Sequence, residues 1–354
     1  MQTVQTQTVQ TSYSPADIRL LIGAAPAPTV SLSQKESRIA AGESYGHFLT
    51  PETVPSDLQT ATYHGALARN GPAIASALLG LAAQLEVQAA GSPVTLVSLA
   101  RAGFPVGIAL HRLLKRRGLD SAHFGVSIVR GVELDLRALE QVLSERPAAG
   151  VVFIDGWTGK GSILDTLKSS LTGHAVLPRF AALYDPAGVA DLAGSHDDLL
   201  LPHAALNATV SGLLSRSFLM GQNHSAHLHA AQYLARLAAQ DVSNEYVDAL
   251  DTLCADAAPL PAPVTRPHNP AALALSIAQA YGCTDPTRAK PGIGEATRVF
   301  LRRRPAALII RARTPDTAHL ETLARAGGLP IYTEAALPYA AMSLIAGPSV
   351  TGAA

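Results

Sequence analysis

The sequence predicts an α/β protein, with a doubly wound parallel sheet followed by a second, smaller domain. Short and almost wholly apolar segments such as VTLVSLA (94–100) and VVFIDG (151–156) alternate with longer helical segments. Such strands are typical of a parallel sheet that helices cover on both faces. A proline-rich segment, ADAAPLPAPVTRPHNP (255–270), then precedes a shorter α/β cycle. We therefore expect a disordered tail over 1–13, a sheet domain over 14–261 and a small domain over 262–354.

The elements of the sheet domain follow from periodicity. After an irregular lead-in with IRLLIG as a first helix, the predicted helices are PAIASALLGLAAQLE, FPVGIALHRLLKRRG, LRALEQVLSERP and GSILDTLKSSL. The predicted strands are VTLVSLA, HFGVSIVRG, VVFIDG and RFAALYD, with the apolar segment DDLLLP after them. A helical stretch from His227 to about Leu253 ends this domain.

The small domain repeats the pattern on a shorter scale. AALALSIAQAYG, GEATRVFLRR and TAHLETLARAG predict helices, and AALIIRA and LPIYT predict strands. Because strands and helices again alternate, we expect a small α/β domain.

Composition excludes several classes of protein. With 48% hydrophobic and 15% charged residues, the chain is not intrinsically disordered. Its 27 basic and 27 acidic residues balance, so any binding to nucleic acid needs a local basic patch, and no membrane partner is expected. Two cysteines, Cys254 and Cys283, are too few for a disulfide framework. The N-terminus resembles no signal peptide, and we expect a cytoplasmic protein.

The loop after VVFIDG carries the sharpest functional signal. In an open parallel sheet, ligands bind beyond the carboxyl ends of the strands. Here the glycine- and hydroxyl-rich run joins a strand to a helix, which lets backbone amides approach a phosphate. Lys160 adds a positive charge, and Ile154 breaks the Walker pattern. The run consists of Asp155, Gly156, Trp157, Thr158, Gly159, Lys160, Gly161 and Ser162. A tight turn in which Ser162 caps the helix is the alternative.

Two other strand ends carry charge. After VTLVSLA, Arg101 suits a bidentate grip on phosphate, although an Arg-Ala-Gly turn is also a common helix entry. After the second strand, Arg130 is a candidate anion ligand. Glu133 and Asp135 are candidate bases or Mg²⁺ ligands, and a solvated charged turn is the alternative.

Two later segments are more ambiguous. LNATVSGLLSRS (206–217) offers polar groups that either face the cleft or sit at a helix start; they are Asn207, Ser211, Ser215 and Arg216. The triplet His224, His227 and His229 has metal-ligand spacing, but no acidic or cysteine ligand stands nearby. We expect no metal at these histidines.

Taken together, the motifs carry a resemblance. GESYGHFLTPETVPS, VSLARAG, SIVRGVELD, VVFIDGWTGKGSI, LNATVSGLLSRS and KPGIGEATR resemble segments of the phosphoribosyltransferase-like proteins of bacterial tellurium-resistance and stress operons. Their N-terminal part is also known as the cysteine protease StiP family, and a Pelota-like RNA-binding domain follows it. The resemblance spans roughly residues 12–345, with DGWTGKGS as its most specific piece.

The resemblance implies a site for 5-phosphoribosyl-1-pyrophosphate (PRPP) with Mg²⁺. Asp155 then holds the ribose, and Thr158, Gly159, Lys160, Gly161 and Ser162 hold the 5-phosphate. The pyrophosphate is then bound by a loop that contains Ser98, Arg101, Ala102 and Gly103. A single acid stands where the family usually has two. Type I relatives are often dimers, so a homodimer is implied as well.

In the small domain, KPGIGEATR resembles the glycine-turn-helix signature of proteins that bind kinked RNA. The implied RNA contacts are Lys290, Gly292, Gly294, Glu295, Arg298 and Arg302. Arg303 and Arg304 extend the basic cluster, and a solvated helix end is the alternative.

Three hypotheses of function follow. The first is a PRPP-dependent phosphoribosyltransferase that acts on a base-like or nucleotide-derived acceptor. The second is a degenerate domain that senses a phosphoribosyl ligand or nucleotide while the small domain binds structured RNA. The third, a cysteine protease, needs an exposed thiolate beside a base, and neither cysteine is predicted at a strand end of the main sheet. Relatives of this type carry a cysteine near LNATVSG, where this chain has Ala205.

Overall fold

The computed structural model describes residues 7–221, 227–264 and 269–347. In the first domain, the strands are β1 (Arg19–Leu20), β2 (Gly23–Ala24), β3 (Val94–Leu99), β4 (Ser121–Val126), β5 (Ile128–Val129), β6 (Glu133–Leu134), β7 (Val151–Trp157), β8 (Phe180–Tyr184), β9 (Leu192–Ser195) and β10 (Ala230–Ala231). The helices are α1 (Leu32–Ala40), α2 (Asp57–Ala89), α3 (Gly103–Arg116), α4 (Leu136–Glu145), α5 (Ser162–Ser170) and α6 (Ser243–Asp256).

The main sheet has six strands in the order β1-β4-β3-β7-β8-β9, and each neighbouring pair is parallel. Leu96 of the central strand β3 lies between His123 and Val152. The prediction of an α/β protein with a parallel sheet and a smaller second domain is confirmed.

Helices cover both faces of this sheet, as its apolar strands require. Leu96 packs in one core with α2, α3 and α6, whereas Val97 packs in a second core with α4 and α5. Successive side chains of a strand point to opposite faces, so this division follows directly from the sequence. The longest helix, α2, begins at a capping box between Ser56 and Gln59.

The strand order changes direction at β3. The chain passes from β3 to β4 on one side and then returns through α4 to β7 on the other side. The loops after β3 and β7 therefore meet at the same end of the sheet. They touch: a Cβ on Gly103 would lie 2.3 Å from the carbonyl oxygen of Ile154.

The second domain is a small α/β unit. Its elements are α7 (Pro270–Ala280), β11 (Ala289–Pro291), α8 (Ile293–Arg302), β12 (Pro305–Ile310), α9 (Ala318–Ala326), β13 (Ile331–Thr333) and β14 (Ala341–Ile345). The sheet order is β11-β14-β12-β13, in which β14 runs antiparallel to both of its neighbours. Sequence periodicity missed β11 and β14.

The two domains share one hydrophobic core. Ile293 and Ala296 of α8 belong to the same buried cluster as Trp157 and Leu201 of the first domain. Because this contact is apolar and fully buried, it fixes α8 beside the loop after β7. Within the described ranges, no helix combines the length and apolar character needed to cross a membrane.

The N-terminal region differs from the prediction. IRLLIG is not a helix, since Arg19 and Leu20 form strand β1 on the edge of the main sheet beside β4. Residues 7–13, predicted as a tail, pack instead: the Val9 amide donates to the Ile22 carbonyl at 2.8 Å, and Tyr13 is buried. Long-range pairing of this kind leaves no periodic signal in the sequence.

The end of the first domain also differs from the prediction. The strand after β8 is β9, which lies just before DDLLLP (197–202) and was not predicted. Between His227 and Leu253, α6 begins only at Ser243, after the short strand β10 and a 3-10 helix at Ala235–Gln240. The apolar residues of these segments serve tertiary packing rather than a helix face.

Candidate functional site

A cleft of about 1060 Å³ lies where the two domains meet. Its floor is formed by the strand-end loops after β3 and β7, and one wall is formed by α8. Eleven basic residues line it: Lys35, Arg101, Arg130, Lys160, Arg216, Arg288, Lys290, Arg298, Arg302, Arg303 and Arg304. Five acidic residues line it: Glu36, Glu52, Asp155, Asp285 and Glu295. A chain without net charge thus concentrates positive charge in one cavity.

The Asp155 loop forms part of the floor, as predicted. Burial raises the pKa of the Asp155 carboxyl to about 7, and its Oδ1 accepts a hydrogen bond from the Gly156 amide at 2.7 Å. Thr158 faces the cleft but donates its hydroxyl to Asp185 at 2.5 Å. Gly156 does not line the cleft, because it packs against Ala102 and His203.

The rest of that loop is held by the second domain. Tyr339 donates to the Gly159 carbonyl at 2.7 Å, and Lys160 donates to the Pro286 carbonyl. Gly161 has a positive φ of 85° and forms the N-cap of α5, so Ser162 begins the helix rather than capping it. These contacts shape the loop through the neighbouring domain, which the sequence did not predict.

The Arg101 loop reaches the cleft through two of its four predicted residues. Arg101 forms an ion pair with Glu52 at 2.8 Å and donates to the Leu214 carbonyl, and Ala102 also lines the cavity. Ser98 and Gly103 are structural instead. The Ser98 hydroxyl donates to the Gly103 carbonyl at 3.0 Å, and it lies 2.7 Å from Nε2 of the buried His123.

Of the three charged residues after β5, only Arg130 reaches the cleft. Its guanidinium lies 3.6 Å from Glu295 of α8, which links the two domains. Asp135 is buried and caps α4. One carboxylate oxygen accepts a hydrogen bond from the backbone amide of Ala138, and the other accepts one from the backbone amide of His229. Glu133 lies beside His229 at 3.3 Å. Both residues lie outside the cavity, so its lining gives no support to the predicted catalytic or Mg²⁺-binding roles of Glu133 and Asp135.

The glycine turn before α8 does not present a free helix N-terminus. Asp198 of the first domain accepts from the Ile293 amide at 2.9 Å and from the Ala340 amide at 2.7 Å. Gly292, with a φ of 100°, donates to the Ala341 carbonyl. Gly294 packs on Trp157. Gly292 and Gly294 are buried against the first domain, so this structure does not present them to RNA.

The charged residues of the same segment do reach the cleft. Lys290, Glu295, Arg298 and Arg302 line it, and their predicted contact with RNA stays a prediction. Arg298 lies over the ring of Trp157, 4.4 Å from its centroid. Burial and the nearby charge of Arg130 lower the pKa of Lys290 to about 7.

The segment 206–217 divides between the cleft and the core. Asn207 and Arg216 line the cavity, and Arg216 donates to the carbonyls of Tyr45 and Phe48 at 2.6 and 2.7 Å. Ser211 and Ser215 are buried and bonded to neighbouring backbone.

The histidine triplet forms no site among the described residues. His224 lies outside them, His227 is exposed, and His229 is buried at 2.8 Å from the Ser127 hydroxyl. Across the described ranges, no group of three His, Cys, Asp or Glu residues is placed to hold a metal ion.

Both cysteines are buried free thiols. Cys254 lies in α6, packed in the core with α2, and burial raises its pKa to about 11. Cys283 follows α7, and its sulfur lies 3.4 Å from the carbonyl oxygen of Asp285, a residue of the cleft. Burial raises the pKa of Cys283 as well, whereas Arg288 and Lys160 oppose this rise.

Three residues important to the cleft were missed from the sequence: Glu52, Asp185 and Asp198. Glu52 comes from the lead-in, whose prolines in TPETVP conceal any periodicity. Asp185 is the last residue of the predicted strand RFAALYD, and Asp198 lies within DDLLLP, so acids near strand ends were the available signal.

These observations define a two-domain α/β protein whose parallel-sheet domain and small domain enclose a basic cleft. The chain belongs to the StiP family. The model for the tellurite-like stress resistance cysteine protease StiP matches residues 11–251, and the model for the PELOTA RNA binding domain matches residues 268–347. The chain is also 31% identical to the cysteine protease StiP of Acinetobacter baylyi (strain ATCC 33305 / BD413 / ADP1), over 94% of this chain and 93% of that protein.

The comparisons confirm the resemblance and correct the function. Membership of the StiP family with a C-terminal Pelota domain was expected from the motifs and is confirmed. The prediction of a PRPP-dependent phosphoribosyltransferase is wrong, because the family and the named relative are both described as cysteine proteases, which are hydrolases. The expected use of PRPP and Mg²⁺ rested on that transferase.

Proposed function

We propose that this chain binds RNA in the cleft between its domains, with RNA phosphates held by the basic lining. The observation that carries this proposal is the excess of eleven basic over five acidic residues in one cavity of a chain without net charge. Phosphate contacts by Lys and Arg supply most of the affinity in nucleic-acid binding. The match to a PELOTA RNA binding domain supports RNA as the polyanion.

The position of the cleft explains why both domains take part. Lys290, Arg298 and Arg304 come from the second domain, whereas Arg101 and Arg130 come from the first. The glycines of the Pelota-type turn are covered, so the RNA surface is the cavity wall rather than the turn itself. We therefore expect the separate domains to bind RNA more weakly than the intact chain.

The test is fluorescence anisotropy with a labelled single-stranded RNA of about 12 nucleotides and a labelled hairpin, across a salt series. Lys290→Ala and Arg304→Ala should weaken binding roughly five- to tenfold each, and each should reduce the slope of log K against log salt by about 0.7 for single strands. Lys168→Ala, an exposed lysine of α5 outside the cleft, is the matched control. No binding by the folded wild type at about 50 mM salt would refute the proposal.

Peptide hydrolysis is the second candidate, because the family and its named relative carry that description. If a thiol acts in this chain, Cys283 is the better candidate, since it is bonded to a residue of the cleft and lies near Lys160 and Arg288. Cys254 is confined to the core.

A labelled-peptide library tests hydrolysis directly. Cleavage that Cys283→Ser abolishes and Cys254→Ser leaves unchanged would support it. Cleavage by both variants at the wild-type rate would count against a cysteine nucleophile. Iodoacetamide labelling followed over pH 6–10 measures whether either thiol forms a thiolate near neutral pH.

A further inference from the structure

Four arginines from three parts of the chain line the same cleft. Arg101 comes from the loop after β3, Arg216 from the segment before β10, and Arg298 and Arg302 from α8. Burial and the charges of Arg101, Arg298 and Arg216 hold the pKa of Arg302 well below its ordinary value, whereas the charge of Glu52 opposes this shift. Like charges so close together are unfavourable unless a counter-charge joins them.

The protein supplies only part of that counter-charge. Glu52 is hydrogen-bonded to Arg101, and Glu295 is shared between Arg298 and Arg130. Within the described ranges, Arg302 forms no hydrogen bond or close ion pair of its own, and the acidic residue that acts on its charge, Glu52, is already paired with Arg101. The cluster thus keeps an excess of positive charge in the cavity.

Two buried polar atoms of the same cavity lack partners as well. In the part of the chain that the structure describes, Nε of Arg298 and Oδ1 of Asn207 make no hydrogen bond. Both residues line the cleft. Buried polar groups are normally paired. The unpaired donor of Arg298 and the unpaired acceptor of Asn207 therefore indicate a ligand that offers one hydrogen-bond acceptor and one donor. A phosphate beside a ribose hydroxyl is such a ligand.

We infer that the cluster of Arg101, Arg216, Arg298 and Arg302 receives a terminal phosphate monoester of RNA, with Asn207 accepting from a ribose hydroxyl. This inference rests on the proposed RNA-binding function and names the part of the RNA that meets the arginines. A monoester carries up to two negative charges against one for a diester, which matches the excess of arginines.

The experiment compares one RNA sequence in three forms: with a 5′-phosphate, with a 3′-phosphate and with hydroxyls at both ends. Affinities are measured for the wild type and for Arg302→Met, which keeps the length of the side chain and removes its charge. Arg137→Met, an exposed arginine of α4 outside the cleft, is the control. Thermal unfolding of each variant accompanies the binding curves, and Arg302→Met should unfold at a higher temperature because repulsion is relieved.

We expect one phosphorylated form to bind at least tenfold more tightly than the hydroxyl form, and we expect Arg302→Met to erase this preference while Arg137→Met retains it. Inorganic phosphate should displace the phosphorylated RNA more readily than the hydroxyl RNA. Equal affinity of the wild type for all three forms would overturn the inference and leave the RNA-binding function intact. Arg302-dependent binding of inorganic phosphate without binding of any RNA would overturn both.

Discussion

Gly294 of α8 lies against the indole of Trp157, so closely that a Cβ on the glycine would sit 2.7 Å from ring atom Cε2. The two residues belong to different domains, and Arg298, one turn further along the helix, covers the same ring. A glycine of the Pelota-type segment therefore serves domain docking in this chain. It places the arginines of α8 over the strand ends of the main sheet.

The first prediction concerns this contact. Gly294→Ala should destabilise the protein by about 1–3 kcal/mol, because the added methyl group overpacks the interface with Trp157. Denaturant unfolding measures the change. Gly65→Ala in helix α2 is the matched control. A Cβ on Gly65 would meet no atom closer than 3.9 Å, so we expect this change to leave the stability of the protein unchanged or to increase it. Equal stability of the two variants would show that the interface tolerates a side chain at Gly294.

The second prediction concerns Asp198, whose carboxylate binds the amides of Ile293 and Ala340 across the interface. Asp198→Ala should cost about 3 kcal/mol, because two charge-assisted hydrogen bonds are lost and buried amides are left unpaired. Hydrogen exchange should accelerate at both amides. Asp197→Ala, which removes only a local bond to Ser195, should leave their exchange unchanged.

The sequence predicts those features of the fold and of the candidate site that depend on neighbouring residues along the chain. Leu96 and Val97 alternate between two cores, so the strands and the covered sheet follow from hydrophobic pattern alone. The Asp155 and Arg101 loops reach the cleft because strand order brings them together. Asp135 does not reach the cleft because its carboxylate caps a helix, a use that the sequence does not separate from metal binding.

The second domain shows the same limit. Its basic residues were predicted to contact a ligand, and Lys290, Arg298 and Arg302 do line the cavity. The covering of its glycine turn by Trp157 was not predictable, because it depends on how one domain docks on another. Tertiary context decides such positions, and local propensity carries no information about them.

The third prediction concerns Asp155, whose pKa burial raises from 3.8 to about 7. Between those pH values the folded state keeps a proton that the unfolded state has released, so stability falls as pH rises through this interval. Each pKa unit is worth about 1.4 kcal/mol, which sets an upper bound of roughly 4 kcal/mol. Asp155→Asn should remove the decline, and thermal unfolding at pH 5 and pH 8 measures it. Glu140→Gln, an exposed change on α4, should leave the pH dependence of the wild type in place.

The last prediction joins charge to RNA binding. Lys290, with a pKa of about 7, loses its charge as pH rises through 7, and Asp155 gains a negative charge over the same interval. Both changes make the cleft less positive, so affinity for RNA should fall between pH 6 and pH 8.5, by roughly thirtyfold if each charge contributes about 1 kcal/mol. An RNA with hydroxyl ends is the right probe, because a terminal phosphate titrates near pH 6.

Two variants separate the contributions of these groups. Lys290→Arg stays charged over the whole range and should flatten the upper part of the profile. Asp155→Asn should flatten it further by removing the charge that appears above pH 7. The two changes are also combined in one double variant. If this double variant still loses affinity as steeply as the wild type, other groups of the cleft control the pH dependence. If its affinity is constant from pH 6 to pH 8.5, these two residues account for it.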